Sequence, residues 1–227
     1  MVINTGKHPL RGKPDGMTPS PNRITAIAVA FELGVLVVAL IVGWAVARPL
    51  APLLRPTAVD SFLALPATIP LLVVLWAVIR SRWPPFRRLV AEVDAHVAPL
   101  FAECSGLQLV LIALAAGIGE EALFRGGLLL AVDPVGWPLA LIATSALFGL
   151  VHLVTPAYAA LAGVVGLYLG ALALWSGGVW LPAAVHALYD SFALAVLVRL
   201  QSPARRTTGP PSPREPTPPR PADTSGT

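Results

Sequence analysis

Apolar runs long enough to cross a bilayer dominate this chain, and the polar residues are confined between them and at the ends. Residues 24–47 form the first run, too long for a signal-peptide core and without a small-residue cleavage site, so it reads as a retained helix. The second, 62–79, contains Pro66 and Pro70, which membrane helices tolerate where neighbours satisfy the freed carbonyls. RSRWPPFRR (80–88) reads as a basic loop with Trp83 at the interface. Residues 89–103 mix apolar positions with Glu92, Asp94, His96 and Glu103, as an interfacial amphipathic helix does. The third span lies within 106–132, and DPVGWP (133–138) follows as a turn whose Pro138 suits a helix start. The fourth span is 139–154. The fifth, 157–175, carries Gly163, Gly166 and Gly170 for close helix packing. The sixth is 179–198. Residues 1–23 read as a flexible tail and 200–227, rich in Pro and Arg, as a disordered one. The pattern predicts an all-α, polytopic membrane bundle over 24–199, with about six transmembrane helices and an interfacial helix.

Composition agrees. The chain is 56% hydrophobic and 12% charged, against about a quarter charged in an ordinary soluble domain, and its mean hydropathy is +0.73. The single cysteine, Cys104, excludes an intrachain disulfide and a multi-cysteine metal site. The net charge of +4 comes from basic residues in the tails and the 80–88 loop, a distribution that orients a membrane protein and does not indicate a nucleic-acid partner. With both ends cytoplasmic, thirteen Lys and Arg lie inside against Arg48 and Arg55 outside. The expectation is a multi-pass protein of the plasma membrane.

Charges at mid-bilayer cost at least ~2.5–3.5 kcal/mol each on insertion scales, so they persist when paired or when they line a wet cavity. Within the spans they are Glu32, Glu120, Glu121, Arg125, His152, His186 and Asp190. Glu121 and Arg125 stand at i and i+4 with the acid first, the favoured order for a helical ion pair, and read as structural. Glu120 points ~100° away around the helix. An unpaired carboxylate in a dry site takes up a proton readily, as a general base must. FGLVH puts Phe148 and His152 one turn apart, and HALYD does the same for His186 and Asp190, where the carboxylate can accept from the imidazole or share its cavity. Glu120, His152, His186 and Asp190 on three helices form a set able to hold a water or a metal, take a proton and stabilise an oxyanion. A lone membrane histidine commonly serves only to join helices, and Glu32 reads as a helix-contact or snorkelling residue.

EEALFR, FGLVH and HALYD, in this order, resemble the EExxxR, FxxxH and Hxxx(N/D) motifs of the CPBP family of intramembrane proteases. This family includes the CAAX prenyl-protein endopeptidases and bacterial relatives (Abi) linked to bacteriocin immunity. The similarity covers roughly 106–192. It implies an endopeptidase acting on a membrane-proximal peptide or protein, in contact with membrane lipid. Glu120 and His152 would activate a water, His186 and Asp190 would stabilise the oxyanion or position that water, and Glu121, Arg125 and Phe148 would support the site. Relatives often carry Asn where this chain has Asp190, and an ionised Asp cannot donate to an oxyanion. The family is often described as metalloproteases, and a metal-free glutamate mechanism is argued equally. No HExxH is present. Zinc held by Glu120, His152 and His186 and a site with no cofactor are both compatible with the sequence.

Depth counting tests whether the motifs meet. A third span starting at Gly106 places Glu120 ~21 Å from the inner face at 1.5 Å per residue, while His152 lies ~9 Å from that face of a ~30 Å core. A crossing at about 112–132 puts Glu120 ~12 Å in, so the helix should run on through FRGGLLL. His186 comes out nearer the outer half on the same count. Two other functions fit the composition: a non-catalytic scaffold or immunity protein, and a small proton-coupled carrier with Glu120 and the histidines as a relay, although no inverted repeat is visible.

Overall fold

The computed structural model describes residues 19–132 and 136–200. The predicted tails fall largely outside these residues, as does the 133–135 part of the expected turn. All regular elements among the described residues are helices, with no strand among them. Helix α1 spans Pro21–Ala45 and α2 Ala58–Arg80. Short helices α3 (Pro84–Glu92) and α4 (Ala98–Phe101) flank a π-helical turn at Val93–Val97. Helix α5 (Gly106–Glu121) continues through a π-helical stretch, Ala122–Leu128, into α6 (Leu129–Val132). Then come α7 (Trp137–Val151), α8 (Pro156–Ser176) and α9 (Trp180–Leu200).

Local chemistry sets the boundaries. Ser20, Thr57, Ser105 and Thr155 each cap the helix that follows by accepting a backbone N–H three residues on, which satisfies one of the first-turn donors. At α5 the cap is reciprocal, because the Gln108 side chain also accepts from the Ser105 N–H at 2.8 Å. Pro66 and Pro70 lie inside α2 without ending it. The segment expected as a basic loop is largely helical: α3 begins at Pro84, with Leu89 buried and Arg87 and Arg88 exposed.

Among the described residues, five helices are long and apolar enough to cross a membrane: Pro21–Ala45, Ala58–Arg80, Gly106–Val132, Pro156–Ser176 and Trp180–Arg199; with the shorter apolar helix Trp137–Val151 they form the all-α polytopic bundle expected. The fourth predicted span, 139–154, is the 15-residue helix α7, about 22 Å long where the hydrocarbon core is about 30 Å. The third helix does run on through FRGGLLL. The chain still alternates in direction. At one end of the bundle, Gln108 at the start of α5 donates to Asn22 at the start of α1 (2.8 Å). At the other, the Val179 N–H before α9 donates to Leu53 O (2.8 Å) and Trp180 Nε1 to Ser61 Oγ (2.9 Å). Six helices run alternately between these ends, so the described chain begins and ends on the same side.

Helix α5 packs between α1 and α9, α2 lies against α9, and α7 lies against α8. Apolar residues on the outside, among them Phe31, Leu65, Trp76 and Val164, face where lipid would be. Close approach depends on glycine at several points, two of them on α5. A Cβ on Gly117 would stand 2.7 Å from Ala183 O and 2.9 Å from Ala187 N on α9, and one on Gly119 would stand 2.7 Å from Glu32 O on α1. The α8 glycines serve the same end: Gly166 faces the Ser145 backbone of α7 and Gly170 faces Leu141.

Gly117→Leu forces backbone apart on α9 and is expected to destabilise the fold by about 1–3 kcal/mol or more. Gly34→Ala, where a Cβ meets nothing within 4 Å, is expected to leave stability unchanged or slightly raised. Thermal unfolding in detergent measures both, and equal melting of the two variants would contradict the packing described.

Candidate functional site

Glu121 is the most enclosed charged group of the site, with 0% relative exposure. Its Oε1 accepts from Arg125 Nη1 at 2.7 Å and lies 3.0 Å from His186 Nδ1. Arg125 is buried as well, and its Nη2 donates to Gly166 O at 2.7 Å. One carboxylate thus joins α5, the following π-helical stretch, α8 and α9. The i,i+4 pair expected from sequence is present, and His186 on it is an addition. Phe148 fills the space between these groups. Its ring is 4.7 Å from the Arg125 guanidinium carbon, 5.0 Å from the Phe124 ring, 4.4 Å from the His152 ring and 6.0 Å from the His186 ring.

Glu120, one residue earlier, turns to a different environment. Its Oε2 lies 3.6 Å from His152 Nε2, and the two side chains keep 15% and 25% exposure. His152 stands where α7 ends, and its Nδ1 is 2.8 Å from Phe148 O. A carbonyl can only accept, so Nδ1 carries a proton there, and the neutral ring presents the Nε2 lone pair to Glu120. The separation is too long for a direct hydrogen bond; Oε2 itself is enclosed, and solvent reaches the pair through the part of each side chain that stays exposed.

Asp190 Oδ2 lies 3.4 Å from His186 Nε2, with exposures of 29% and 7%. His186 therefore sits between two carboxylates, Glu121 and Asp190. Depth counting had set it apart from the other site residues, but the 3.0 Å contact with Glu121 places it at their level. Helix α5 and its continuation to Val132 hold 27 residues, about 40 Å of helix, so the first helical residue does not mark the membrane face.

Glu120, His152 and Asp190 line a cavity of about 910 Å³ that reaches the end of the bundle where α3 and α4 lie. Its walls are largely apolar, from α2, α3, α5, α8 and α9. His186, Glu121 and Arg125 stand behind the wall and do not line it. Glu32 does line it, and Glu32 Oε2 is enclosed without a hydrogen bond to any described residue, as is Glu120 Oε2. No spacing signal marks Glu32, which is a single acid with no partner on its own helix. Its polar position in an otherwise apolar span was the only cue.

Glu120, His152 and His186, the residues that would hold a zinc, do not form a metal centre. Among the described residues, no group of three or more His, Cys, Asp or Glu side chains could hold a metal ion. Both ring nitrogens of His186 already face carboxylates, and His152 Nδ1 is committed to Phe148 O. Glu120 and His152 alone offer two ligands, and a catalytic zinc site needs three from the protein.

Comparison with known proteins places residues 103–192 in a match to the family model of Rce1-like proteins, described as type II CAAX prenyl endopeptidases. No curated protein and no solved structure matches the chain. The matched stretch holds every site residue named above except Glu32.

Glu121→Leu leaves Arg125 and His186 without their shared acceptor and is expected to cost about 3–5 kcal/mol, as breaking a buried charge pair does. The readout is the folded fraction in detergent on heating. A Leu variant that melts with the wild type would show that the contact does not hold the helices.

Proposed function

We propose that this chain, whose residues 103–192 match the family model of Rce1-like type II CAAX prenyl endopeptidases, hydrolyses a peptide bond with a water held between Glu120 and His152. The observation that carries this reading is the 3.6 Å approach of Glu120 Oε2 to His152 Nε2 at the wall of the cavity. A water there donates one hydrogen to the carboxylate and the other to the imidazole lone pair. Its own lone pair then points into the cavity, towards a carbonyl. Glu120 takes the proton as the water oxygen bonds to the carbonyl carbon. The tetrahedral intermediate then collapses, the C–N bond breaks, and Glu120 returns the proton to the leaving amine. Glu121, Arg125 and Phe148 fix the helix that carries Glu120. His186 is engaged at both nitrogens and orients Asp190 on the cavity wall. No step runs through a metal.

The substrate fitting this reading is a membrane-proximal peptide or protein, and a prenylated CAAX peptide is the first to try. We place the protein in the plasma membrane with the cavity end cytoplasmic. In support, Arg23, Arg80, Arg82, Arg87, Arg88 and Arg199 lie at that end of the bundle, and Arg48 and Arg55 at the other.

Glu120→Gln is expected to lower cleavage of a farnesylated, fluorogenic CAAX peptide by about 10²–10⁴-fold, the usual contribution of a positioned general base, with the melting temperature unchanged. Steady-state cleavage by the detergent-solubilised protein checks this. Retained activity in the Gln variant would remove the mechanism.

A further inference from the structure

Hydrolysis by the route above builds negative charge on the substrate carbonyl oxygen, and that oxygen needs a hydrogen-bond donor in the cavity. The inner cavity is poor in donors. Glu32, Glu120 and Asp190 accept when ionised, and the Nδ1–H of His152 is committed to Phe148 O. The backbone beside His152 is also engaged: the amides of His152, Leu153 and Val154 donate to the carbonyls of Gly149, Leu150 and His152 at 3.2, 3.2 and 2.8 Å. Ser81 and Arg87 line the cavity where α2 ends and α3 begins, at its outer end. His186 does not line the cavity.

Two tyrosines remain on the wall, Tyr158 and Tyr189. The ring of Tyr158 stands edge-on to His152, with centroids 6.3 Å apart. Its place is fixed by the first turn of α8, where its backbone N–H donates to Thr155 Oγ1 at 3.1 Å. Its hydroxyl bonds to no described residue. Tyr189 packs against the α2–α8–α9 core cluster of Ala64, Leu71, Leu169, Leu181 and Val185, and the ring contact with His152 is made by Tyr158. The third tyrosine, Tyr168, is already committed, donating to Ala67 O at 2.7 Å.

We propose that the Tyr158 hydroxyl is the oxyanion donor of this site, a catalytic residue next to the Glu120–His152 water. This rests on the hydrolytic reading above. The phenol keeps its proton: as the water oxygen bonds to carbon and the carbonyl electrons move to oxygen, the O–H donates a hydrogen bond to that oxygen. The bond is lost when the intermediate collapses and the C–N bond breaks. A neutral hydroxyl suits a cavity in which a fixed cation would be held by the surrounding carboxylates.

Tyr158→Phe removes the hydroxyl and keeps the ring against His152. With the farnesylated CAAX peptide, it is expected to lower kcat by about 10²–10³-fold, the effect of deleting one oxyanion donor. KM should stay within about threefold, by the argument that a contact made only in the transition state changes kcat alone, and the melting temperature should not move. Tyr168→Phe, which loses a helix contact far from the water, is expected to keep the wild-type kcat. If the wild type cleaves and Tyr158→Phe keeps its kcat, or loses kcat only in step with its melting temperature, the oxyanion role is wrong while the hydrolytic reading stands. A wild type that cleaves no faster than Glu120→Gln removes both.

Discussion

The contact on which the rest depends is Glu121 Oε1 shared between Arg125 and His186. A carboxylate with no exposure, inside a bundle whose outside is meant for lipid, is tolerable only when its charge is met at hydrogen-bond distance. It is met twice. The Arg125 contact holds the π-helical stretch that follows α5, and Arg125 passes the constraint to α8 through Gly166 O. The His186 contact holds α9. Breaking it would leave buried charges facing each other's empty positions, so the three helices can adopt one relative placement and few others. That placement decides where Glu120 points. Two consecutive residues on one helix cannot share a face, so anchoring Glu121 inward directs Glu120 to the neighbouring wall.

The cavity follows from a second constraint, the shortness of α7. A helix of 15 residues does not reach from one side of the hydrocarbon to the other. It ends at His152, inside the bundle, and its last turn is closed by the imidazole bonding back to Phe148 O. The same bond fixes which nitrogen faces Glu120. A full-length fourth span would carry its histidine past the carboxylate or fill the space now lined by Tyr158 and Asp190. The helix shortfall, which looks like a defect in a membrane protein, creates the room and the polarity that water needs.

Much of this was legible in the residues. Spacing alone gave the Glu121–Arg125 pair, the separation of Glu120 from it, and the one-turn relation of Phe148 to His152 and of His186 to Asp190, because helical geometry is regular within one element. What spacing could not give was anything fixed between elements. Depth counting, even with the third span crossing at about 112–132, put His186 nearer the outer half, because a count along single helices carries no information on how they contact one another; the 3.0 Å contact sets it beside Glu121. Residues 139–154 were counted as a full span because apolar character does not report where a helix stops. The 80–88 stretch looked like a loop because its charges hid two prolines well suited to a helix start. Glu32 was passed over because a lone acid on an apolar helix has no sequence partner, and its neighbour Gly119 lies almost ninety residues away.

Glu32 also bears on what the catalytic unit is. The matched segment, 103–192, contains Glu120 and His152, between which the water is proposed to sit, and the charge network behind them. Yet Gly119 is a glycine because the backbone of α1 presses against it at Glu32, and the walls of the cavity include α2 and α3. A segment cut at residue 103 would keep Gly117 covered by α9 but leave Gly119 without the α1 backbone that covers it. It would also open one side of a cavity whose polar groups are tolerable only when enclosed. The motif-bearing helices carry the groups proposed to react, and the helices before them supply the enclosure that lets those groups stay within a membrane.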